Sequence, residues 1–213
     1  MKITDACVCP YPCGDSSVRR MALEARDLGF ERIVAKDVPS GEVYGIELYT
    51  GILIRDMPLR DLVNRIRREK NSHAVVSVQA GDSGFNRAVI TTKGVHILRG
   101  IQSADRHAFD HVTARMAADN RVAVDIDLSP MISGRGIARQ RAIHRYRDIM
   151  VLEQRFGFPL VISSHARSLL EMRSVREITG LCSLIGMDIP DVEKAFSGID
   201  TVTTPPDAAV RVI

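Results

Sequence analysis

The sequence contains no tryptophan, and aromatic residues make up only 5% of it. Recognition that stacks single-stranded bases on aromatic rings has little to work with here. Lysine is scarce too: of 29 basic residues only Lys2, Lys36, Lys70, Lys93 and Lys194 are lysine, and the rest are arginine. There is no low-complexity tract, internal repeat or linker, so residues 1–213 read as one domain. No apolar run approaches the roughly 18 residues that span a bilayer. The opening Met1-Lys2-Ile3-Thr4-Asp5 has no basic segment leading into a long apolar one. These absences predict a cytoplasmic protein without membrane contact. No glycine-rich dinucleotide turn follows the first strand signal, which weighs against an open dinucleotide-binding sheet. Cysteine is limited to Cys7, Cys9, Cys13 and Cys182, and a cytoplasmic chain keeps its thiols reduced.

What is present is a regular alternation of strand and helix signals. Strands are predicted at 3–9, 31–36, within 43–54, and at 73–79, 95–98, 122–128 and 159–163. Helices are predicted at 16–28, from Pro58 through Ile66, at 86–91, from Phe109 to about Asn120, and over 137–156. Two more follow, from the Ser174/Glu177 capping box to Gly186 and over 190–196. Thr201 to Ile213 reads as a tail that closes on Val210-Arg211-Val212-Ile213. Repeated βα units imply a parallel sheet. About seven of them in series favour an α/β fold of the TIM-like (β/α) barrel kind, with Val124, Ile126, Leu160 and Ile162 in the core.

In such folds function gathers at the carboxyl ends of the strands. Those ends offer Asp5, Cys7 and Cys9; Arg99 to His107; Asp125 and Asp127; and Ser164, His165 and Arg167. Asp and His at several strand ends could assemble a metal site. The set is thin, however, and an arginine beside the one late histidine would repel a divalent ion. Cys7 and Cys9 alternate along a strand and share a face. Small strand and loop residues are the favoured reading of the C-x-C-x3-C cluster, with metal or redox chemistry the alternative. The basic residues say more. Arg135, Arg139, Arg141, His144, Arg145 and Arg147 run without an acid until Asp148. On a helix, Ala142, Ile143, Tyr146, Ile149 and Met150 share one face, and Arg141, His144 and Arg147 point away from it. A solvated outer face competes with a phosphate-binding one. Gly134 and Gly136 beside Arg135 would let backbone approach a phosphate. Arg65, Arg67 and Arg68 are mixed with Asp61 and Glu69 and look ordinary. Backbone and shape contacts to a folded RNA fit this composition better than base stacking.

Four segments carry a resemblance: Leu98-Arg99-Gly100; Ser103 to Asp110; Val124-Asp125-Ile126-Asp127-Leu128-Ser129-Pro130; and Pro159-Leu160-Val161-Ile162-Ser163-Ser164 followed by Ala166. Together they resemble the ribonuclease P protein component 3 family, over essentially the whole chain. That family is in turn similar to the metal-dependent polymerase-and-histidinol-phosphatase (PHP) barrels. Their opening His-x-His pair falls here on Cys7 and Cys9, and their late Asp-x-His on His165 and Arg167, which would remove most metal ligands. The resemblance implies a ribonuclease P subunit that supports a catalytic RNA in removing the 5′ leader of precursor tRNA. It implies no catalytic residue, cofactor or metal in this chain. The expected RNA-binding residues are Arg99, Arg106, His107, Arg135, Arg139, Arg141, Arg147, His165 and Arg167. The implied partners are that RNA, precursor tRNA and other protein subunits, one of them small and joined in a two-plus-two heterotetramer. A metal-dependent phosphoesterase on the same barrel is the alternative, and a protein-interaction scaffold without RNA contact a third.

Overall fold

The computed structural model describes residues 2–69 and 74–204. The strand reading at His73 and the closing Val210 to Ile213 lie outside the described residues. In chain order the elements are β1 (Thr4–Val8), α1 (Val18–Asp27), β2 (Arg32–Lys36), β3 (Gly41–Val43), β4 (Ile46–Ile54), α2 (Leu59–Glu69), β5 (Val75–Gln79), α3 (Ser83–Ile90), β6 (Ile97–Arg99), α4 (His111–Asn120), β7 (Ala123–Asp127), α5 (Ser129–Ile132), α6 (Gly136–Phe156), β8 (Leu160–Ser163), α7 (Val175–Ser183), α8 (Ile189–Phe196) and α9 (Gly198–Thr203). Among the described residues no helix is long and apolar enough to cross a membrane.

Seven strands pair in parallel in the order β1-β2-β4-β5-β6-β7-β8. β3 folds back antiparallel on β4 through Tyr44 and Gly45, both at positive φ (54° and 80°) as a tight hairpin turn requires. β8 comes round to β1, where a single bridge pairs Val8 with Ala166. There Cys9 N–H donates to the Ala166 carbonyl at 2.8 Å, and His165 N–H to that of Cys7 at 2.9 Å. The result is the expected TIM-like barrel of seven strands, nearly closed.

The barrel strands are largely buried on both faces, which is why their sequences read as continuous apolar runs. The outer faces, including Val124, Ile126, Leu160 and Ile162, pack under the helices in the main core. Inside the barrel, Ala6, Val34, Val75, Ile97, Ala123 and Val161 make an apolar layer. Ile199 of α9 adds to it and closes the amino-terminal end. Gly198 is required there, because a Cβ would collide with the Leu160 carbonyl. Arg32 holds the plug by pairing with Glu47 and with Asp200 of α9. The reading of a tail near this point missed α9.

The barrel interior turns polar above this layer. β1 changes phase through a register break between Asp5 and Val8. The Cys7 amide freed by that bulge donates to Asp5 Oδ1 at 3.1 Å. Cys9 lines the cavity at the carboxyl-end mouth, with the Cys7 sulfur beneath it within 4.8 Å.

Candidate functional site

A buried ion pair forms the floor of the mouth. β6 ends on Arg99, and the adjacent β7 presents Asp125. Both are buried, at 2% and 0% exposure. Arg99 Nη1 lies 3.0 Å from Asp125 Oδ2, and Nη2 donates to the Ala6 carbonyl at 2.6 Å. Ser163 Oγ donates to Asp125 Oδ1 at 2.7 Å. Burial alone would raise the Asp125 pKa, but the Arg99 charge and the bonds from His165 and Ser163 hold it below the usual carboxylate range. Asp5 goes the other way. Burial pushes its pKa up despite N–H donation from Ser164 and Cys7. His165 follows β8 in the left-handed region at φ 51°, a conformation sparsely used outside glycine. Its Nε2 meets Asp125 Oδ2 at 3.2 Å and Arg99 Nη1 at 2.7 Å.

These donors do not suit a hydrolytic centre built on hard cations. Asp125 is committed to Arg99 and Ser163. Asp127 accepts from Gln102 Nε2 at 3.1 Å and from the Ser129 amide at 2.8 Å. A guanidinium stands where a second cation would be needed.

Above the floor is a cavity of about 260 Å³, lined by Lys36, Arg55, Arg99 and Arg167 together with Cys9 and His165. A second, shallower hollow of about 460 Å³ runs along α6, with Arg106, Arg141, His144 and Arg145 against Asp148. Gln102 lines both, so the two hollows share a wall. Each is bordered mainly by cations.

The expected RNA-binding residues separate into groups. Arg99 is inside the barrel, its guanidinium held by Asp125 and the Ala6 carbonyl, and it reaches the mouth only as part of the cavity lining. His165 is half-buried beside it, and Arg167 is exposed at the mouth. Arg106 is exposed and pairs with Asp148 at 3.3 Å across the groove, and His107 is exposed next to it. Arg141 lines the groove. Arg135 is exposed immediately before α6, while Arg139 is half-buried in its first turn, and neither lines a hollow. Arg147 is exposed, but its Nε donates to the Leu184 carbonyl at 3.0 Å, towards α7 and away from the groove. Gly134 serves packing, since a Cβ there would strike the Pro130 carbonyl. Gly136, at φ 56°, faces open space.

The expected RNA-binding set omits Lys36, Arg55, Gln102 and Arg145. Arg145 is buried, and its guanidinium reaches the carbonyls of Ile101 and Asp105 at 3.4 and 3.5 Å. It braces the loop that carries Arg106. The spacing of α6 carried that signal, because position 145 borders the apolar stripe.

Comparison with known proteins gives this cationic barrel its family. The profile of RNase P subunit p30 matches residues 2–203. The chain belongs to the RNase P subunit p30 family. It is 31% identical over 198 residues to ribonuclease P protein component 3 of Haloarcula marismortui, covering 88% of this chain and 83% of that one. To the protein of the same name from Methanothermobacter thermautotrophicus it is 29% identical, covering 86% and 81%. A chain in a solved structure of archaeal ribonuclease P with mature tRNA superposes with a TM-score of 0.76 at 19% identity, covering 94% of this chain and 89% of that one. A Xaa-Pro dipeptidase shares the barrel at a TM-score of 0.62 and 11% identity, covering 92% and 73%.

Proposed function

We infer that this p30-family chain works as a protein subunit of ribonuclease P, and that it grips the backbone of the catalytic RNA with the carboxyl-end face of its barrel. Cleavage of the precursor-tRNA leader belongs to the RNA, and this chain contributes no catalytic group. The observation that carries the RNA-binding face is a pair of cation-lined hollows that share Gln102, one with Arg55 and Arg167 at the mouth and one with Arg106 and Arg141 along α6. Arginine forks bind phosphate oxygens in pairs. Arg135 and Arg139 flank in sequence the α6 residues that line the second hollow, His107 follows Arg106, and His165 lines the first hollow. Arg147 has its Nε engaged by Leu184 and contributes net charge more than a free fork. The reduced cysteines suit a cytoplasmic setting. Other protein subunits of the enzyme, one of them small and paired two-plus-two with this chain, would meet the barrel elsewhere.

The test is reconstitution of precursor-tRNA cleavage from the cognate RNA with and without this chain, at near-limiting protein. An Arg106→Ala/Arg141→Ala variant is expected to need more protein for the same rate and to show a shallower salt dependence of binding. If it matches the unaltered chain at moderate salt, this face is not where RNA binds, and the barrel joins the enzyme through a protein partner.

A further inference from the structure

The seam between β8 and β1 is the weakest joint of the barrel. Every other neighbouring pair of barrel strands shares at least two paired residues. Here there is one bridge, Val8 with Ala166. Across this seam Sγ of Cys7, Sγ of Cys9 and a ring nitrogen of His165 lie within 4.8 Å of one another. Cys13 opens on the same cavity as Cys9 and His165. RNA binding gives these sulfurs no task, and two of them are almost wholly buried.

We propose that Cys7, Cys9 and His165, completed by Cys13, bind a thiolate-seeking ion, Zn²⁺ in the first instance, which staples the first strand of the barrel to the last. Four properties of the cluster support this. The donors are soft, as zinc prefers and as magnesium or calcium do not. Tetrahedral zinc with bonds of ~2.3 Å to sulfur and ~2.0–2.1 Å to nitrogen sets its ligand atoms roughly 3.5–3.8 Å apart. Cys7, Cys9 and His165 are within about 1 Å of that spacing, and Cys13, on the same cavity, would close on the ion as it binds. His165 Nε2 is taken up by the Arg99–Asp125 pair, at 2.7 Å from Arg99 Nη1 and 3.2 Å from Asp125 Oδ2, so Nδ1 is the nitrogen assigned to the ion. A carboxylate behind the imidazole is the usual support of a histidine ligand.

The charge also balances. On binding, the three thiols release their protons to water. Three thiolates and Zn²⁺ then sum to one negative charge, which Lys36, Arg55 and Arg167 on the same cavity offset. A hard, hydrated cation would meet those positive groups and no free carboxylate. A sphere of three sulfurs and one nitrogen has no position left for water, so the ion is structural rather than hydrolytic. This proposal does not depend on the ribonuclease P reading.

The full-length chain, stripped by a chelator under reducing conditions, is titrated first with Co²⁺ and then with Zn²⁺. The expected result is one equivalent of cobalt, with near-ultraviolet thiolate-to-cobalt absorption and the strong visible bands of a tetrahedral site. Zn²⁺ should abolish these bands and raise the melting temperature. Loss of an outer partner alone weakens metal sites about 10–100-fold, so Cys9→Ser should weaken binding about 100-fold or more. Cys182→Ala, in α7, should bind unchanged. The proposal is overturned if the folded wild-type chain binds neither ion, or if it binds cobalt without thiolate bands. Undiminished binding in a folded Cys7→Ser/Cys9→Ser variant overturns it too. Should those variants fail to fold, the wild-type spectrum decides by itself.

Discussion

Arg99 and the arginines around the start of α6 look alike in the sequence, yet the fold gives them opposite work. Arg99 is sealed under the mouth and held by Asp125 and the Ala6 carbonyl. Arg135 and Arg141 are exposed, and the described residues show no acidic partner for either within ion-pair distance. The same guanidinium is therefore committed to the fold in one place and, in the reading proposed above, offered to RNA in the other. Burial separates the two roles. A charge removed from water must be matched inside the protein, whereas an exposed one keeps its hydration and gives it up only to a ligand.

The hardest test of this contrast is Arg99→Ala. It leaves Asp125 buried with His165 alone beside it, 3.2 Å away, and breaking a buried pair costs about 3–5 kcal/mol. Chemical denaturation of the variant should show a loss of that order. RNA affinity, measured on whatever fraction remains folded, should hardly move. A stable Arg99→Ala variant with weakened RNA binding would erase the distinction. Arg99→Met combined with Asp125→Leu sharpens it, because removing both charges should recover part of the lost stability.

The outer set should behave in the reverse way. Arg135→Ala/Arg139→Ala is expected to change stability by no more than about 0.5 kcal/mol per site, the usual range for surface positions. Removing one phosphate-binding cation lowers the salt slope of binding by about one, so the double variant should lower that slope by about two. Filter binding across a salt series reads this directly. Arg139, being half-buried, is the member more apt to show a stability effect, and the single variants separate the two.

Much of this fold was legible in the sequence, because periodicity reports burial locally. β7 was expected over 122–128 and spans Ala123–Asp127; α6 was expected over 137–156 and spans Gly136–Phe156. The Ser174/Glu177 capping box is formed as read. Misjudged features depended on distant or tertiary partners. Arg99 follows a strand like any exposed strand-end residue, and its partner Asp125 is supplied by the next strand. Gly134 looked like room for a phosphate but faces the Pro130 carbonyl. α3 begins at Ser83, earlier than expected, because Asp82 accepts from the Phe85 amide as its cap. α9 is short and gains its stability by plugging the barrel, which no local pattern announces. The convergence of Cys7, Cys9 and His165 needed ring closure, since it joins the first strand to the last.

The mildest test concerns Asp110, which links the buried framework to the loop carrying Arg106 and His107. Asp110 caps α4 by accepting from the Thr113 amide at 2.9 Å, and it pairs with Arg87 of α3 at 2.7 Å. Partial burial opposes its charge, but the Thr113 hydrogen bonds and Arg87 outweigh that and hold its pKa below the ordinary aspartate value. A depressed carboxylate stabilises the fold fully above its unfolded pKa, about 3.9. That contribution is lost as pH falls through the lower, folded value. Asp110→Asn keeps a capping oxygen but loses the ion pair, so it should reduce stability at neutral pH by less than about 1 kcal/mol. It should also flatten the acid limb of the stability curve below about pH 4. RNA affinity at neutral pH should stay near that of the unaltered chain, because no phosphate-facing charge is removed. An affinity loss as large as that of the Arg135/Arg139 pair would mean that the Arg106 loop is positioned by α4 rather than by Arg145. The buried and exposed arginine sets would then be coupled through this one cap.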